Sequence, residues 1–375
     1  MKKIKVMTVF GTRPEGIKMA PIIKAMEKVS EIENTICITA QHREMLDQVL
    51  NLFKIEPDYD LNIFKPGQTL TEITMRALEG LEKVILKVKP DILLVQGDTS
   101  TVFSGALAAF YQKVKIGHVE AGLRSGNLYS PYPEEANRKL TGVLTDFHFA
   151  PTERNRQNLL KEGYSEEKIF VTGNTVIDAL QYAVKENYEF EIQLLNDLDY
   201  NNRKIILLTS HRRENIGMPM ENIFSAINQI ALKYDEVEVV FPVHLNPKVR
   251  EIANRIFKEN NRVHLIEPLD YEPFTNLMAK SYLVVTDSGG LQEEGPTFGK
   301  PVLVVREETE RPEGIEAGTA KLVGTDYDNI LKEIDTLITD KKEYDKMANA
   351  VNPYGDGKAS ERIVDIILKH GGSIK

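Results

Sequence analysis

The sequence predicts an α/β protein made of two Rossmann-like domains, each a parallel sheet covered by helices. Short apolar runs rich in β-branched residues alternate with longer helical patterns along the whole chain, which is typical of parallel sheets. The alternation stops at a polar stretch, 185–203, and then restarts. A chain of 375 residues is also too long for one ordinary hydrophobic core, which favours two domains.

The two halves supply the strands of two separate sheets. In the first half, the strand pattern appears at 4–10, 35–39, 92–96, 114–119, 147–150 and 169–171. In the second half, it appears at 204–209, 237–243, 263–266, 282–286 and 301–305. Helical spacing fills segments between the strands, such as 99–111, and returns in a last helix at 359–369. The boundary should lie between about 170 and 203, and we place the domains at 1–172 and 173–358.

Composition and charge exclude several classes of protein. The net charge of −9 and the lack of a long basic stripe argue against a nucleic-acid-binding protein. Cys37 is the only cysteine, so an internal disulfide is impossible and a cysteine-based metal site is not expected. No apolar run approaches the roughly 20 residues that cross a bilayer, and the N-terminal residues lack a signal-peptide pattern. We therefore expect a cytoplasmic protein without a membrane partner.

Cations follow the first predicted strand, at the edge where parallel sheets bind their ligands. Arg13 and Lys18 lie on a turn that leads into a helix, an arrangement suited to a diphosphate. The turn fits neither GxGxxG nor the P-loop pattern, so a nicotinamide or ATP-phosphate cradle is not predicted. The alternative is that both cations are solvated charges at a helix entry.

Carboxylates follow two further strands of the first half. Asp98 and Glu120 each come directly after a predicted strand, where they can form a general acid/base set. Asp98 also suits an ordinary helix N-cap, whereas Glu120 lies between an apolar strand and a glycine-containing turn. Glu134 and Glu135 form a second pair of carboxylates, for which first-turn helix charges are an equal alternative.

Histidines follow two strands of the second half. His211, beside Arg212 and Arg213, is placed to meet an anionic leaving group, and His244 at the next strand end is weaker. No HExxH or comparable ligand spacing occurs, so no metal site is predicted. A histidine alone is usually structural. The neighbouring arginines make His211 a better candidate than His244 for meeting an anionic leaving group.

The turn after the strand at 282–286 carries a phosphate-binding pattern. Ser288 precedes Gly289 and Gly290, which open a helix where a phosphate can approach backbone N–H groups. Glu294, one turn later, is placed to accept hydrogen bonds from ribose hydroxyls, and Arg311 follows the last strand. The alternative is a tight turn without a ligand. Together, the strand-end residues of both halves predict a nucleotide-diphosphate compound in a cleft between two domains.

These motifs resemble those of the non-hydrolysing UDP-N-acetylglucosamine 2-epimerases, which have the GT-B architecture. The likeness spans essentially the whole chain and resides in GTRPE (11–15), QGDTS (96–100), HVEAGLR (118–124), HRREN (211–215), DSGGLQEE (287–294) and NPYGDG (352–357). It implies reversible C2 epimerisation of UDP-N-acetylglucosamine to UDP-N-acetylmannosamine through 2-acetamidoglucal and UDP. It also implies no cofactor, a homodimer, and a last helix, 359–375, that packs back on the first domain.

The resemblance implies roles for individual residues. Acid/base chemistry belongs to Asp98, Glu120 and Glu134, without a distinction between the carboxylate that removes the C2 proton and the one that returns it. The residues that handle the phosphates and the sugar are Arg13, Lys18 and His211. The implied UDP contacts are Ser288, Gly289, Gly290, Glu294 and Arg311, with Phe274 near the uracil.

Some members of the family bind a second substrate molecule as an activator. Contacts of that allosteric site match Gln41, Arg212 and His244, and His42 and Glu44 belong to the same candidate region. The family pattern has Gln where this chain has Glu44, and Arg where it has Gly67. Because these changes add an anion and remove a cation opposite a diphosphate, we expect reduced or altered activation.

Three alternatives to this function remain open at the level of sequence. A hydrolysing 2-epimerase would release N-acetylmannosamine and UDP, and a GT-B glycosyltransferase would need an acceptor groove. A non-enzymatic nucleotide-sugar sensor would use the Gly289-Gly290 turn and Glu294. Such a sensor would leave Asp98, Glu120 and Glu134 without a task.

Overall fold

Two parallel sheets, each belonging to a separate compact unit, organise the chain. The structure is a computed structural model that describes residues 3–371. The first unit comprises 1–182 and 355–375, and the second comprises 183–354. The structural divisions therefore follow Tyr182 and Tyr354, whereas the sequence placed them after 172 and 358. The α/β fold class predicted from the sequence is confirmed.

The first unit contains a seven-stranded parallel sheet of order β3-β2-β1-β4-β5-β6-β7. Its strands are β1 (Ile4–Phe10), β2 (Ile32–Ile38), β3 (Tyr59–Asp60), β4 (Ile92–Gln96), β5 (Lys115–Val119), β6 (Phe147–Ala150) and β7 (Ile169–Val171). The central strands form continuous apolar runs because helices cover the sheet. Those helices are α1 (Arg13–Met26), α2 (Glu44–Phe53), α3 (Leu70–Val88), α4 (Ser100–Tyr111), α5 (Glu134–Leu144), α6 (Glu153–Lys161) and α7 (Thr175–Ala183).

The second unit contains a six-stranded parallel sheet of order β10-β9-β8-β11-β12-β13. Its strands are β8 (Lys204–Thr209), β9 (Val237–Pro242), β10 (Val263–Ile266), β11 (Leu283–Thr286), β12 (Val302–Val304) and β13 (Ala320–Leu322). Its helices are α8 (Gln193–Asp197), α9 (Met218–Lys233), α10 (Pro247–Phe257), α11 (Tyr271–Lys280), α12 (Gly289–Glu294), α13 (Pro312–Glu316), α14 (Tyr327–Thr339) and α15 (Lys341–Ala348). Aromatic packing of Phe224, Phe241 and Phe257 fills one part of its core.

Two strands and one helix differ from the sequence prediction. The strands β3 and β13 are only two and three residues long, so they carry no apolar run that periodicity can detect. The polar stretch 185–203, interpreted as a break, contains α8 and belongs to the second unit. A hydrogen bond joins the start of this stretch to α11 of the second unit: the Lys185 N–H donates to the Asn276 side chain at 2.9 Å.

The last helix, α16 (Ala359–Gly371), belongs to the first unit. Asp178 of α7 accepts hydrogen bonds from the backbone N–H groups of Ala359 (3.2 Å) and Ser360 (2.8 Å). These are orphan donors of the first turn, and a buried carboxylate satisfies them. Residues 372–375 of the predicted segment lie outside the described residues. Within 3–371, every helix is too short or too polar to cross a membrane.

Candidate functional site

The first candidate region lies where the strand order of the first unit reverses. The chain runs from β1 outward through β2 and β3, then returns to add β4 on the other side of β1. This reversal opens a crevice at the carboxyl ends of β1 and β4, the usual ligand site of such sheets. Arg13, Asp98 and Glu120 follow β1, β4 and β5, so these three neighbouring strands place them along one edge.

Asp98 is a largely buried carboxylate held by α5. Its side chain forms an ion pair with Arg138, and the Asn137 amide donates to the Asp98 backbone carbonyl at 2.9 Å. Burial raises the pKa of Asp98, Arg138 opposes that shift, and the neighbouring Glu120 reinforces it. The interpretation of Asp98 as a helix N-cap is wrong. Thr99 caps α4 by accepting from the Val102 N–H, which leaves the Asp98 carboxylate available for chemistry.

Glu120 sits in an unusual backbone conformation for a non-glycine residue. Its φ is 66°, in the left-handed region that costs free energy and is concentrated at functional sites. The Glu120 carboxylate forms an ion pair with Lys18 of α1. Two residues earlier, the His118 ring is hydrogen-bonded through Nε2 to the Gly97 carbonyl at 2.7 Å. Burial lowers the pKa of His118 to about 4, so this histidine is a neutral structural link.

Glu134 and Glu135 occupy the first turn of α5, as the alternative interpretation from sequence expected. Glu135 is fully buried and accepts hydrogen bonds from the backbone N–H groups of Ser125 (3.1 Å) and Gly126 (3.3 Å). Its partner Arg138 lies 3.6 Å away. Glu134 differs, because its buried Oε2 accepts no hydrogen bond from any described residue. An unsatisfied buried carboxylate oxygen is costly and calls for a ligand or a proton.

The turn after β1 combines a tight glycine with an available cation. A Cβ on Gly11 would lie 2.0 Å from Thr39 Oγ1 and 2.6 Å from Thr101 Oγ1, so only glycine fits there. Arg13 is half-buried, and among residues 3–371 its side chain has no hydrogen bond or ion pair. A cation in this state is suited to an anionic ligand.

The second unit also has a reversal of strand order, and one buried carboxylate joins the turns at that point. Its strand order reverses between β8 and β11, which places His211 and Asp287 on adjoining strand ends. Asp287 has no exposed surface, and its carboxylate accepts from the backbone N–H groups of His211 and Arg212, each at 2.9 Å. The Ser210 hydroxyl (2.9 Å) and the Asn215 amide (3.1 Å) add two more donors. A buried charge requires such partners, so Asp287 fixes the turn that carries His211.

His211 is half-buried beside Asp287, with its Nδ1 3.4 Å from the carboxylate. Burial lowers the pKa of His211, and Asp287 opposes that shift. The His244 ring stacks on the His211 ring with a centroid distance of 5.5 Å. The Arg212 guanidinium donates to the Asp287 backbone carbonyl at 3.3 Å. The structure therefore brings His211, Arg212 and His244 together at one strand edge of this unit.

The predicted UDP contacts lie at the same carboxyl edge of the second sheet. Ser288 precedes α12, which begins at Gly289, and a Cβ on Gly290 would lie 3.2 Å from Glu294 Oε1. Phe274 lies in the first turn of α11, after β10. Arg311 precedes α13 and forms an ion pair with Glu293.

The candidate allosteric residues of the first unit follow β2. The Gln41 side chain accepts a hydrogen bond from the Thr101 hydroxyl at 3.1 Å, and His42 is exposed. Glu44 is the exposed first residue of α2. Gly67 has a φ of 70°, in the left-handed region that glycine adopts at lower cost than arginine.

Sequence analysis missed three residues that build these sites. Arg138 pairs with Asp98, Asp287 anchors the His211 turn, and Glu15 lies buried in the turn after β1. Only Glu15 had a local signal, since Thr12 and Glu15 have the spacing of a capping box. In the part of the chain that the structure describes, no group of three His, Cys, Asp or Glu side chains is arranged to hold a metal ion.

Comparisons with known proteins identify relatives along the whole chain. A family model described as UDP-N-acetylglucosamine 2-epimerase matches residues 24–368. The UDP-N-acetylglucosamine 2-epimerase of Bacillus subtilis is 58% identical over 372 residues, which cover 99% of this chain and 97% of the relative. The enzyme of the same name from Escherichia coli K12 is 54% identical over 370 residues, which cover 97% and 98%. The solved structure of UDP-GlcNAc 2-epimerase from Neisseria meningitidis bound to UDP-GlcNAc has a TM-score of 0.86 at 53% identity, with coverage of 98% and 100%.

The burial of Glu15 makes stability depend on pH. Burial raises the pKa of Glu15 from 4.5 to about 7, against hydrogen bonds that lower it. The folded protein therefore retains a proton that the unfolded chain releases between these values, and stability falls as pH rises through that window. Replacing Glu15 by Gln should remove this loss, raising the free energy of unfolding relative to wild type by about 3 kcal/mol more at pH 8 than at pH 5.

Urea unfolding at the two pH values measures this effect. Glu72→Gln is the matched control, because Glu72 has the same capping-box position on α3 but is exposed. Hydrogen bonds from Thr69 lower the pKa of Glu72, so this carboxylate is largely ionised in the folded and the unfolded chain between pH 5 and pH 8, and the control should change the free energy of unfolding nearly equally at the two pH values. Equal pH dependence of wild type and Glu15→Gln would contradict the prediction.

Proposed function

Because the chain belongs to the UDP-N-acetylglucosamine 2-epimerase family, we propose that it interconverts UDP-N-acetylglucosamine and UDP-N-acetylmannosamine by the non-hydrolysing route. The observation that carries this proposal is the pair of carboxylates, Asp98 and Glu120, each held beside a cation at one strand edge. A binding protein would have no use for two such groups, whereas C2 inversion requires proton transfer.

The substrate dictates the type of reaction. The C2 hydrogen of the sugar is not next to a carbonyl group on the ring, so simple deprotonation at C2 is too slow. Anti-elimination solves this problem: the C2–H bond gives its proton to a base while the C1–O bond to UDP breaks. The products are 2-acetamidoglucal and UDP. Return of UDP to C1 and of a proton to the other face of C2 gives the epimer, so atoms and charges balance.

The first unit supplies groups for both proton transfers. Asp98, Glu120 and Glu134 are the candidate acid/base groups, and which one acts as base stays open. Burial and the neighbouring carboxylates raise the pKa of Asp98, which suits a group that accepts and returns a proton. Lys18 balances the charge of Glu120, and the free guanidinium of Arg13 is suited to the departing diphosphate.

The second unit supplies groups suited to UDP. His211 and Arg212, on the turn fixed by Asp287, lie at a strand end where they can meet a diphosphate. Ser288, Gly289 and Gly290 offer backbone N–H groups, Glu294 suits the ribose hydroxyls, and Phe274 suits the uracil. Arg311, paired with Glu293, is the remaining candidate contact. The relative from Neisseria meningitidis, solved with UDP-GlcNAc, supports this choice of ligand.

We also propose a cytoplasmic homodimer. Three helices that pack side by side in the first unit, α3, α4 and α5, expose large apolar side chains. These are Met75, Leu86, Phe110, Tyr111, Leu140 and Val143. Several exposed apolar side chains on neighbouring helices are typical of a protein–protein interface, and a second copy of the chain is the simplest occupant.

A charge placed on this face should dissociate the dimer. Phe110→Asp should shift wild-type dimers to monomers in analytical ultracentrifugation, because an unpaired carboxylate would be buried at the interface. Leu232→Asp is the control, since Leu232 is similarly exposed on α9 of the other unit. A monomeric wild type, or a Phe110→Asp dimer as stable as wild type, would contradict the assembly.

Incubation with UDP-N-acetylglucosamine in D2O, followed by proton NMR, tests the reaction. We expect both epimers to accumulate with deuterium at C2, because the base exchanges its proton with solvent. Asp98→Asn should lower the rate by about 100-fold or more, since an amide cannot transfer the proton. Asp365→Asn, an exposed change on α16, is the control and should match wild type.

Other products would identify the other functions. Free N-acetylmannosamine with UDP indicates the hydrolysing enzyme. A C2 hydrogen that never exchanges indicates a transferase or a sensor and contradicts the proposal.

Glu44 and Gly67 lead to a prediction about activation. We expect the initial rate to follow UDP-N-acetylglucosamine concentration with a Hill coefficient of about one, because the candidate allosteric region carries an extra anion. Glu44→Gln should steepen the curve by removing that anion. Arginine at position 67 is a poorer test because of the positive φ of Gly67. A wild-type Hill coefficient clearly above one would contradict weakened activation.

A further inference from the structure

We propose that Glu15 is a positioning residue whose buried carboxylate joins the turn carrying Arg13 to the turn carrying Asp98. The proposal rests on the proposed function, since it assigns Glu15 a task in the same reaction. Glu15 does not act on the substrate. It holds Asp98 in its working position relative to the diphosphate-binding turn.

The two oxygens of the Glu15 carboxylate bind different parts of the fold. Oε2 accepts hydrogen bonds from the backbone N–H groups of Gly11 (2.6 Å) and Thr12 (3.0 Å), in the turn after β1. Oε1 accepts a hydrogen bond from the hydroxyl of Thr99, in the turn after β4. Glu15 is only 2% exposed, so water does not compete for these bonds.

Thr99 transmits this contact to the residue before it. Its backbone directly follows Asp98, and its side chain caps α4 by accepting from the Val102 N–H at 3.4 Å. The same hydroxyl therefore donates to Glu15 and accepts from α4. Asp98 is held on its other side by Arg138, which leaves the carboxylate fixed between α4 and α5.

Helix capping explains the hydrogen bonds that Oε2 of Glu15 accepts, but it does not explain the one that Oε1 accepts from Thr99. The exposed capping box on α3 shows what capping requires, because Glu72 bonds only the backbone and hydroxyl of its own cap, Thr69. Glu15 bonds its cap and also a residue 84 positions along the chain. That second bond crosses the crevice between β1 and β4, where the strand order reverses.

The charges around these two carboxylates couple their ionisation. The negative charge of Asp98 raises the pKa of Glu15, and the hydrogen bond from Thr99 lowers it. The other groups that face Asp98 are Arg138 and Lys18, which favour its ionised form, and Glu120 and Glu134, which oppose it. Loss of the Thr99 hydrogen bond should therefore raise the pKa of Glu15, and loss of the Asp98 charge should lower it.

Substitution of Thr99 tests the positioning role. Thr99→Val keeps the shape of the side chain but loses the hydrogen bond to Glu15, and should lower kcat about tenfold or more while KM changes little. Thr99→Ser restores the hydroxyl and should recover most of the rate. Wild-type kcat in Thr99→Val, or no rescue by Thr99→Ser, would overturn the proposal.

Substitution of Glu15 adds a readout that simple loss of stability would not produce. Glu15→Gln keeps two accepted bonds and a polar contact to Thr99 but has no group that titrates, so the inflection near pH 7 that ionisation of Glu15 contributes to the wild-type pH–rate profile should disappear. Glu72→Gln, the exposed capping-box control, should leave the profile in place.

A measurement without substrate separates this proposal from the proposed function. The Glu15 carboxyl ¹³C resonance, assigned from its loss in Glu15→Gln, should titrate at higher pH in Thr99→Val than in wild type, because the hydrogen bond from Thr99 that lowers the pKa of Glu15 is lost. If wild type fails to exchange the C2 hydrogen, the proposed reaction fails while this contact still stands. If the Glu15 titration is the same in both proteins, the Glu15 proposal fails whatever the reaction.

Discussion

The reversal of strand order in each parallel sheet is the constraint on which the candidate sites depend. In the first unit β1 lies between β2 and β4, and in the second unit β8 lies between β9 and β11. Helices leave the two central strands toward opposite faces, so the turns at their carboxyl ends diverge and leave a crevice. Side chains remote in sequence meet there because parallel pairing sets the strands side by side.

Each unit lines its own crevice with a buried carboxylate that joins the turns after its two central strands. In the second unit Asp287, after β11, binds the backbone of the turn after β8. In the first unit Glu15, after β1, binds Thr99 in the turn after β4. An unpaired buried carboxylate would be costly, so each one demands its donors and thereby sets the distance between two turns. The candidate residues His211 and Asp98 lie in the turns that these anchors hold.

The carboxylates of the first unit differ in what holds them. Asp98, Glu120 and Glu135 each have a cationic partner, but Glu135 also accepts hydrogen bonds from two backbone N–H groups and is structural. Glu134 keeps a buried oxygen without a hydrogen bond among the described residues. Glu134 and Glu135 are neighbours in one helix turn but have different surroundings, because successive side chains of a helix point about 100° apart. The hydrogen-bond partners of each carboxylate therefore distinguish the candidate catalytic groups from the structural Glu135 more clearly than residue type does.

The sequence by itself determined the fold class, nearly all of the strands and the position of Arg13, Asp98, Glu120, His211 and Gly290 at strand ends. Those features follow from local periodicity and from the geometry of parallel sheets, which need no long-range information. Only the tertiary structure decided that Thr99 rather than Asp98 caps α4, that Arg138 pairs with Asp98, and that Glu15 and Asp287 anchor the turns. The ion pair and the two anchors depend on partners from another part of the fold, whereas the cap depends on which of two adjacent side chains reaches the Val102 N–H. Burial and pairing across long separations arise when the chain folds, and no local pattern carries them.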